Sequence, residues 1–229
     1  MAKEKKGKVS SVGEGEVGWQ AQKSAMTRDR ILEAVINCFI EEGYTNVTTA
    51  KVATNAGVSR GAMLHHFPSK TELIRATVEY LHDKLLEDYT SRVKKIPKKL
   101  TGAAHRRAGL DAYWDYLASD LFISYHELCV AGRTDPELKD ILAASQAAFD
   151  EHTAESNTEL FAEWKDRGEL FHLAMDVTKF MMEGMAINQL TSKQDKRVSR
   201  MMDYLADRLE EIFEEGANSA ITRHSQTQA

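Results

Sequence analysis

The sequence predicts an all-α protein of about nine helices, with an N-terminal three-helix unit that carries a helix-turn-helix and a larger helical C-terminal domain. Three observations support this. The 229 residues contain only three prolines. Apolar residues recur at three- and four-residue steps over long stretches rather than alternating. Hydrophobic residues make up 42% of the chain, enough to fill a core.

The first helix is expected to start near Thr27, whose hydroxyl can cap free amides. Ile31, Leu32, Val35, Cys38 and Phe39 form its inward stripe, and Gly43 ends it. Thr48 caps a second helix that buries Val52 and Ala53. Gly57 makes the turn and Ser59 caps a third helix, anchored by Ala62, Met63 and Phe67. Pro68 stops that helix, because the residue before a proline avoids the helical region. Ser69-Lys70-Thr71-Glu72 reads as a capping box. It opens a long fourth helix whose stripe is Leu73, Thr77, Leu81, Leu85 and Tyr89, ending near Ile96. Further helices are expected over about 103–118, 120–132, from Asp135-Pro136 toward Trp164, 173–190, and 193–215 behind a Ser192 cap.

Four parts follow: a basic tail without order over 1–22, a compact unit over 23–70, a larger domain over 71–216 and a second tail over 217–229. The first tail reads either as a plain flexible extension or as a basic arm that lies along DNA. The net charge is -5. It is unevenly divided, since residues 1–75 hold eleven Lys/Arg against eight Asp/Glu. The basic excess falls on the helix-turn-helix, as a nucleic-acid footprint requires.

A recognition helix must be short, held on its inner face and small on its outer one. Residues 59–67 meet these needs: Met63 and Phe67 can anchor, Gly61 and Ala62 permit close approach, and Arg60 can reach guanine edges or phosphate. The wider string is more specific. Thr27-Arg28-Asp29-Arg30-Ile31-Leu32-Glu33-Ala34, Glu42-Gly43-Tyr44, Val52-Ala53, Ala56 to Ala62 and His66-Phe67-Pro68-Ser69-Lys70 closely resemble the tetracycline-repressor (TetR) family of bacterial transcription regulators. The resemblance covers about a fifth of the chain.

It implies a homodimeric DNA-binding repressor with a C-terminal ligand-binding and dimerisation domain. The DNA-facing positions become Thr48, Lys51, Ser59, Arg60, Gly61, Leu64, His65 and Lys70. Arg60 and Gly61 match positions that read bases, and Thr48 and His65 match phosphate contacts. Lys70 stands at a helix N-terminus suited to a phosphate. Leu64 departs from the family's usual tyrosine. Lys51 stands where an acidic residue is common, and could add a phosphate contact. His66 is expected to pack beside Phe67, leaving His65 for DNA.

The dimer face is expected on the last two helices, through Val177, Phe180, Gly184, Met201, Leu205 and Leu209. Those stripes serve the monomer core, the dimer or both. The candidate pocket residues are Tyr113, Trp114, Phe122, Tyr125, His126, Trp164, Met181 and Met185, which favour a small apolar or aromatic effector. Arg106-Arg107 is either a solvated pair or a seat for an anionic head group. The long fourth helix suggests that a ligand shifts operator affinity by preferring one of two domain arrangements.

No cofactor, metal or membrane is expected. His172 and Asp176 are four apart but lack further ligand partners in the sequence pattern. Cys38 and Cys129, each in an apolar helical run and too far apart in sequence to suggest a disulfide framework, read as core residues of a cytoplasmic protein, or as a redox switch. No paired carboxylates, nucleophile elbow or phosphate-binding glycine loop points to an enzyme. The partners are then a palindromic duplex, a second copy of the chain and a small effector. The alternative is a DNA-binding regulator that answers to a protein partner and has no inducer.

Overall fold

The computed structural model describes residues 13–227, with side chains over 18–216 apart from Lys165. Every regular element among the described residues is helical. The chain divides into two compact units, Met1–Thr77 and Val78–Ala229, and the division falls inside one helix.

The first unit holds α1 (Gly13–Glu42), a 3-10 turn at Tyr44–Asn46, α2 (Thr49–Asn55), α3 (Arg60–His66) and the start of α4 (Lys70–Lys94). The α1 stripe is buried as its periodicity requires: Ile31 and Val35 are wholly inaccessible, with Leu32, Cys38 and Phe39 beside them. Phe39 meets Tyr44 edge-on at 5.9 Å, which closes the corner after Gly43. Gly43 has φ 75°, so it supplies the left-handed turn that ends α1.

The start of α1 differs from the sequence expectation. The helix is described from Gly13 and passes straight through Thr27. Thr27 therefore caps nothing; its hydroxyl donates to the Lys23 carbonyl at 2.9 Å. The segment before it contains no proline to end a helix, so α1 extends across much of the stretch read as a tail. Residues 1–12, where the basic arm was placed, lie outside the described residues.

The second unit holds the rest of α4, α5 (Gly102–Leu117), α6 (Asp120–Gly132), α7 (Pro136–Leu160), a 3-10 segment at Ala162–Arg167, α8 (Glu169–Gln189) and α9 (Asp195–Thr227). Packing pairs α6 with α7, α8 with α9, and α5 with both α8 and α9. The α4 stripe is buried along its length, from Leu73 and Thr77 through Leu81 and Leu85 to Tyr89. Asp135 caps α7 through a 3.1 Å bond from the Leu138 amide, ahead of Pro136.

Other helix ends also differ from the sequence expectation, among them the start of α8, which lies at Glu169 rather than near 173. α7 stops at Leu160 because Phe161 leaves the helical region (φ -119°, ψ 55°), so Trp164 sits on the 3-10 segment. Ser192 does not cap α9; the helix starts two residues beyond the expected site, with Gln194's carbonyl accepting from the Arg197 and Val198 amides. α9 also runs past 215 to Thr227, into the stretch expected to be a tail. Gly216 is no terminator there. Its missing side chain makes room for the Arg167 side chain.

The C-terminal core also uses a different face of α8. Phe171, Ala174, Thr178, Met182 and Ala186 are its buried stripe. Val177, Met181 and Ile187 are only half-buried, and Phe180 is 70% exposed. On α9 the expected stripe divides: Leu205 and Leu209 are buried within the protomer beside Val198 and Met202, while Met201 is half-buried.

Candidate nucleic-acid interface and ligand cavity

The helix-turn-helix is built by local bonds that the sequence dictates. Thr48 accepts from the Lys51 amide at 3.4 Å and Ser59 from the Ala62 amide at 3.1 Å, so both short helices have side-chain caps. Between them Gly57 sits at φ 61°. Its amide bonds the Thr54 carbonyl at 3.0 Å and the Val58 amide bonds that of Ala53 at 3.0 Å, the paired closure of a Schellman turn. Met63 (1% exposed) and Phe67 (2%) tie α3 to the core of the unit. The Arg28 guanidinium lies 4.4 Å from the centre of the Phe67 ring and reaches the His66 carbonyl.

The outer side of this unit carries the nominated residues. Thr48, Lys51, Ser59, Arg60, Gly61, Leu64, His65 and Lys70 are all exposed. A Cβ at Gly61 would meet only the Ser59 hydroxyl, at 3.9 Å, so nothing within the unit crowds that side of α3. His66 is half-buried, and burial, then His65, push its imidazole below the ordinary range. Lys51 is paired with Glu42 at the end of α1 and also reaches the Asn46 carbonyl. Its charge therefore has a partner within the unit. Lys70 opens α4, where Ser69 accepts from the Glu72 amide at 3.1 Å, and its ammonium stands 6.0 Å from the Tyr44 ring.

The second unit contains a cavity of about 1060 Å3. It gathers five of the nominated pocket residues: Tyr113, Phe122, Tyr125, His126 and Trp164. Trp114, Met181 and Met185 are elsewhere. Both methionines line a separate groove of about 370 Å3 along α8 and α9, with Gly184 and Met201. Their spacing on α8 turns them away from the cavity, which takes Thr178, Lys179 and Glu183 instead.

Residues that periodicity assigned to the core line the cavity as well. Tyr89 of the α4 stripe donates to Asn157 at 2.7 Å. Tyr116 lies 5.6 Å from Tyr89 and is stacked on Tyr113 at 5.7 Å. Burial pushes the phenols of Tyr89, Tyr113, Tyr116 and Tyr125 upward, so all four stay protonated. Tyr125 donates to Gln146, which donates to Asp150 at 2.9 Å. Glu183 accepts from Tyr113 at 3.4 Å, and burial raises its carboxyl above the usual range. Its signal in the sequence was a lone carboxylate in the run Met181-Met182-Glu183-Gly184-Met185. Cys129, expected in the core, is exposed and lines the cavity. Cys38 is buried and accepts from Asn55 at 3.3 Å.

Neither arginine of the Arg106-Arg107 pair is a seat for an anion. Arg106 (8% exposed) clasps Glu210 with two nitrogens and lies 4.0 Å from the centre of the Phe213 ring. Arg107 pairs with Asp111 and Asp203.

Residues 31–77 match the family model described as bacterial regulatory proteins, tetR family. The N-terminal unit is thus similar to the TetR family. The TetR-type match takes in α2, α3 and the opening of α4. The chain is 36% identical over 121 residues to the HTH-type transcriptional regulator CymR of Pseudomonas putida, covering 53% of this chain and 58% of that protein. It thus spans less than two thirds of the length of this curated relative. Solved structures extend the likeness in fold to the C-terminal unit. A TetR-family regulator from Rhodococcus sp. aligns over 82% of this chain and 99% of its own, with TM-score 0.62 and 19% identity. The multidrug binding protein EbrR, complexed with imidazole, aligns over 81% of this chain and 93% of its own, with TM-score 0.55 and 15% identity. None of the described helices is long and apolar enough to cross a membrane, and no group of three metal-ligating side chains occurs among the described residues.

Beside the cavity, His82 is 5% exposed and stacks on Phe149 at 4.4 Å. Its Nδ1 lies 2.7 Å from the Ser145 hydroxyl, while Nε2 has no partner. Burial drives its pKa down to about 4. A depressed folded-state value means the unfolded chain binds the proton first. Stability is then full above about 6.5, the unfolded pKa, and drains as pH falls toward 4. The loss at pH 4 should reach about 3 kcal/mol. Denaturant titrations from pH 7 to 4 should show this decline, and His82→Phe should remove it.

Proposed function

We propose that the protein is a homodimeric transcriptional regulator that binds a palindromic operator and is released by a small, largely apolar or aromatic effector. The observation that carries the DNA half is α3, anchored by Met63 and Phe67 and bare on the side of Arg60, Gly61, Leu64 and His65. In this reading Arg60 and Gly61 approach base edges, while Thr48, Ser59, His65 and Lys70 hold phosphates. The pairing of Lys51 with Glu42 leaves it a smaller share of that work. Leu64 offers an apolar contact in place of a hydroxyl.

The cavity supports the effector half: it is large, lined by rings and set with a few polar groups. EbrR, a multidrug binding protein of similar fold, supports the same reading. α4 begins with Lys70 and lends Leu85, Leu86 and Tyr89 to the cavity wall, so one helix carries residues of both proposed sites. A ligand that prefers one of two positions of that helix would shift operator affinity by the same preference.

The dimer reading now rests on fewer residues. Leu205 and Leu209 are consumed by the protomer's core. Val177, Phe180, Gly184 and Met201 remain accessible, and nothing lies within 4 Å of a Cβ placed at Gly184. That position is open within the protomer and suits close helix approach by a second copy.

Selection of bound fragments from random duplex DNA should return an inverted repeat; recovery of no preferred sequence would overturn the operator reading. Lys70→Ala should weaken binding to every sequence and reduce the slope of log affinity against log salt by about one. Arg60→Ala should instead change the selected sequence, with about 1–3 kcal/mol lost on the operator and less on random DNA. Gly184→Arg should leave the helical circular dichroism intact and convert the sedimenting dimer to monomer. A dimer unaffected by that change would remove α8 from the interface.

A further inference from the structure

The charges on the cavity wall narrow the chemistry of its ligand, an inference that rests on the effector reading above. Asp150, Glu151, Glu155, Asp176 and Glu183 line the cavity, against Arg106 and Lys179. Both cations already have acidic partners. Arg106 is held by Glu210, and the Lys179 ammonium stands 3.6 Å from Asp150. His126, His172, Cys129 and the four tyrosines are the other ionisable groups of the lining. Asp150, Glu151, Glu155 and Asp176 are exposed, so they set a negative potential toward solvent. Glu183 is the half-buried carboxylate, next to the ring cluster.

The rings beside Glu183 form a compact group. Tyr89 stands 5.7 Å from Tyr113 and 5.6 Å from Tyr116, and Tyr113 and Tyr116 are stacked. Tyr116 is 6% exposed and lines the cavity. A partly desolvated carboxylate beside stacked electron-rich rings matches one kind of guest. An anion would face acids without an available guanidinium. A neutral guest would desolvate Glu183 further without supplying a counter-charge.

We propose that the cavity takes a small organic cation with an apolar body, such as an aryl or alkyl ammonium, its charge held between Glu183 and the cluster of Tyr89, Tyr113 and Tyr116. The exposed carboxylates draw it in, and Phe122, Phe149 and Trp164 take its apolar part.

Three probes of similar bulk test this by calorimetry on the full chain: phenyltrimethylammonium, its uncharged isostere tert-butylbenzene, and benzoate. The cation should bind at least about tenfold tighter than the isostere, and benzoate weakest. Glu183→Gln should cost the cation about tenfold and leave tert-butylbenzene within about twofold. Lys179→Gln removes a competing charge and should tighten the cation instead, which keeps the test decisive if the Glu183 variant folds poorly. Equal or tighter binding of either other probe, or cation affinity unmoved in both variants, overturns the proposal while leaving an effector cavity in place. Binding of none of the three by folded protein overturns the proposal and the effector reading together.

Discussion

Burial of Met63 and Phe67 against the rest of the N-terminal unit is the interaction on which the surface proposed to face DNA depends. α3 has seven residues, far short of the roughly 12–15 at which an isolated helix becomes even marginal in water. Its order therefore comes from tertiary packing, helped by the Ser59 cap and by Arg28 over the Phe67 ring. Because two side chains on one face supply the anchorage, the opposite face is left for small or reaching residues. Gly61 can come close and Arg60 can extend only because neither is needed to hold the helix in place.

The C-terminal unit follows the opposite rule. Its core is not completely filled, and the lining of the resulting cavity is rich in rings that also hold the helices together. Tyr89 packs as part of the α4 stripe and also lines the cavity. Arg106 is buried because Glu210 and the Phe213 ring replace its water. Charges here are managed in pairs, and Glu183 stands out because it accepts from a phenol and shares its cationic neighbour, Lys179, with Asp150. The cavity wall is thereby more particular than its apolar surface alone suggests.

Much of this was legible along the chain, and the failures share a cause. The α1 and α4 stripes, the caps at Thr48, Ser59, Ser69 and Asp135, and the turns at Gly43 and Gly57 are local: each bond or face involves residues a few positions apart. The eight nominated positions of the first unit are all exposed for the same reason. Helix ends without a strong local stop were harder. Thr27 resembles a cap but serves an internal turn, and α9 continues through Gly216, which accommodates Arg167. On α8 two apolar stripes coexist, and periodicity could not say that Phe171, Ala174, Thr178, Met182 and Ala186 are the inner one. That ambiguity sent Met181 and Met185 to the wrong side.

The amino-acid order by itself determined the helical class of the described elements and a helix-turn-helix at residues 48–67, because these depend on short-range capping, turn geometry and helical period. Only the tertiary structure decided which rings border empty space, that Leu205 and Leu209 belong to the protomer core, and that Arg106 is matched to a glutamate 104 positions away. Those outcomes depend on the crossing of distant helices. A helical period records which side of a helix is apolar, but not what that side meets.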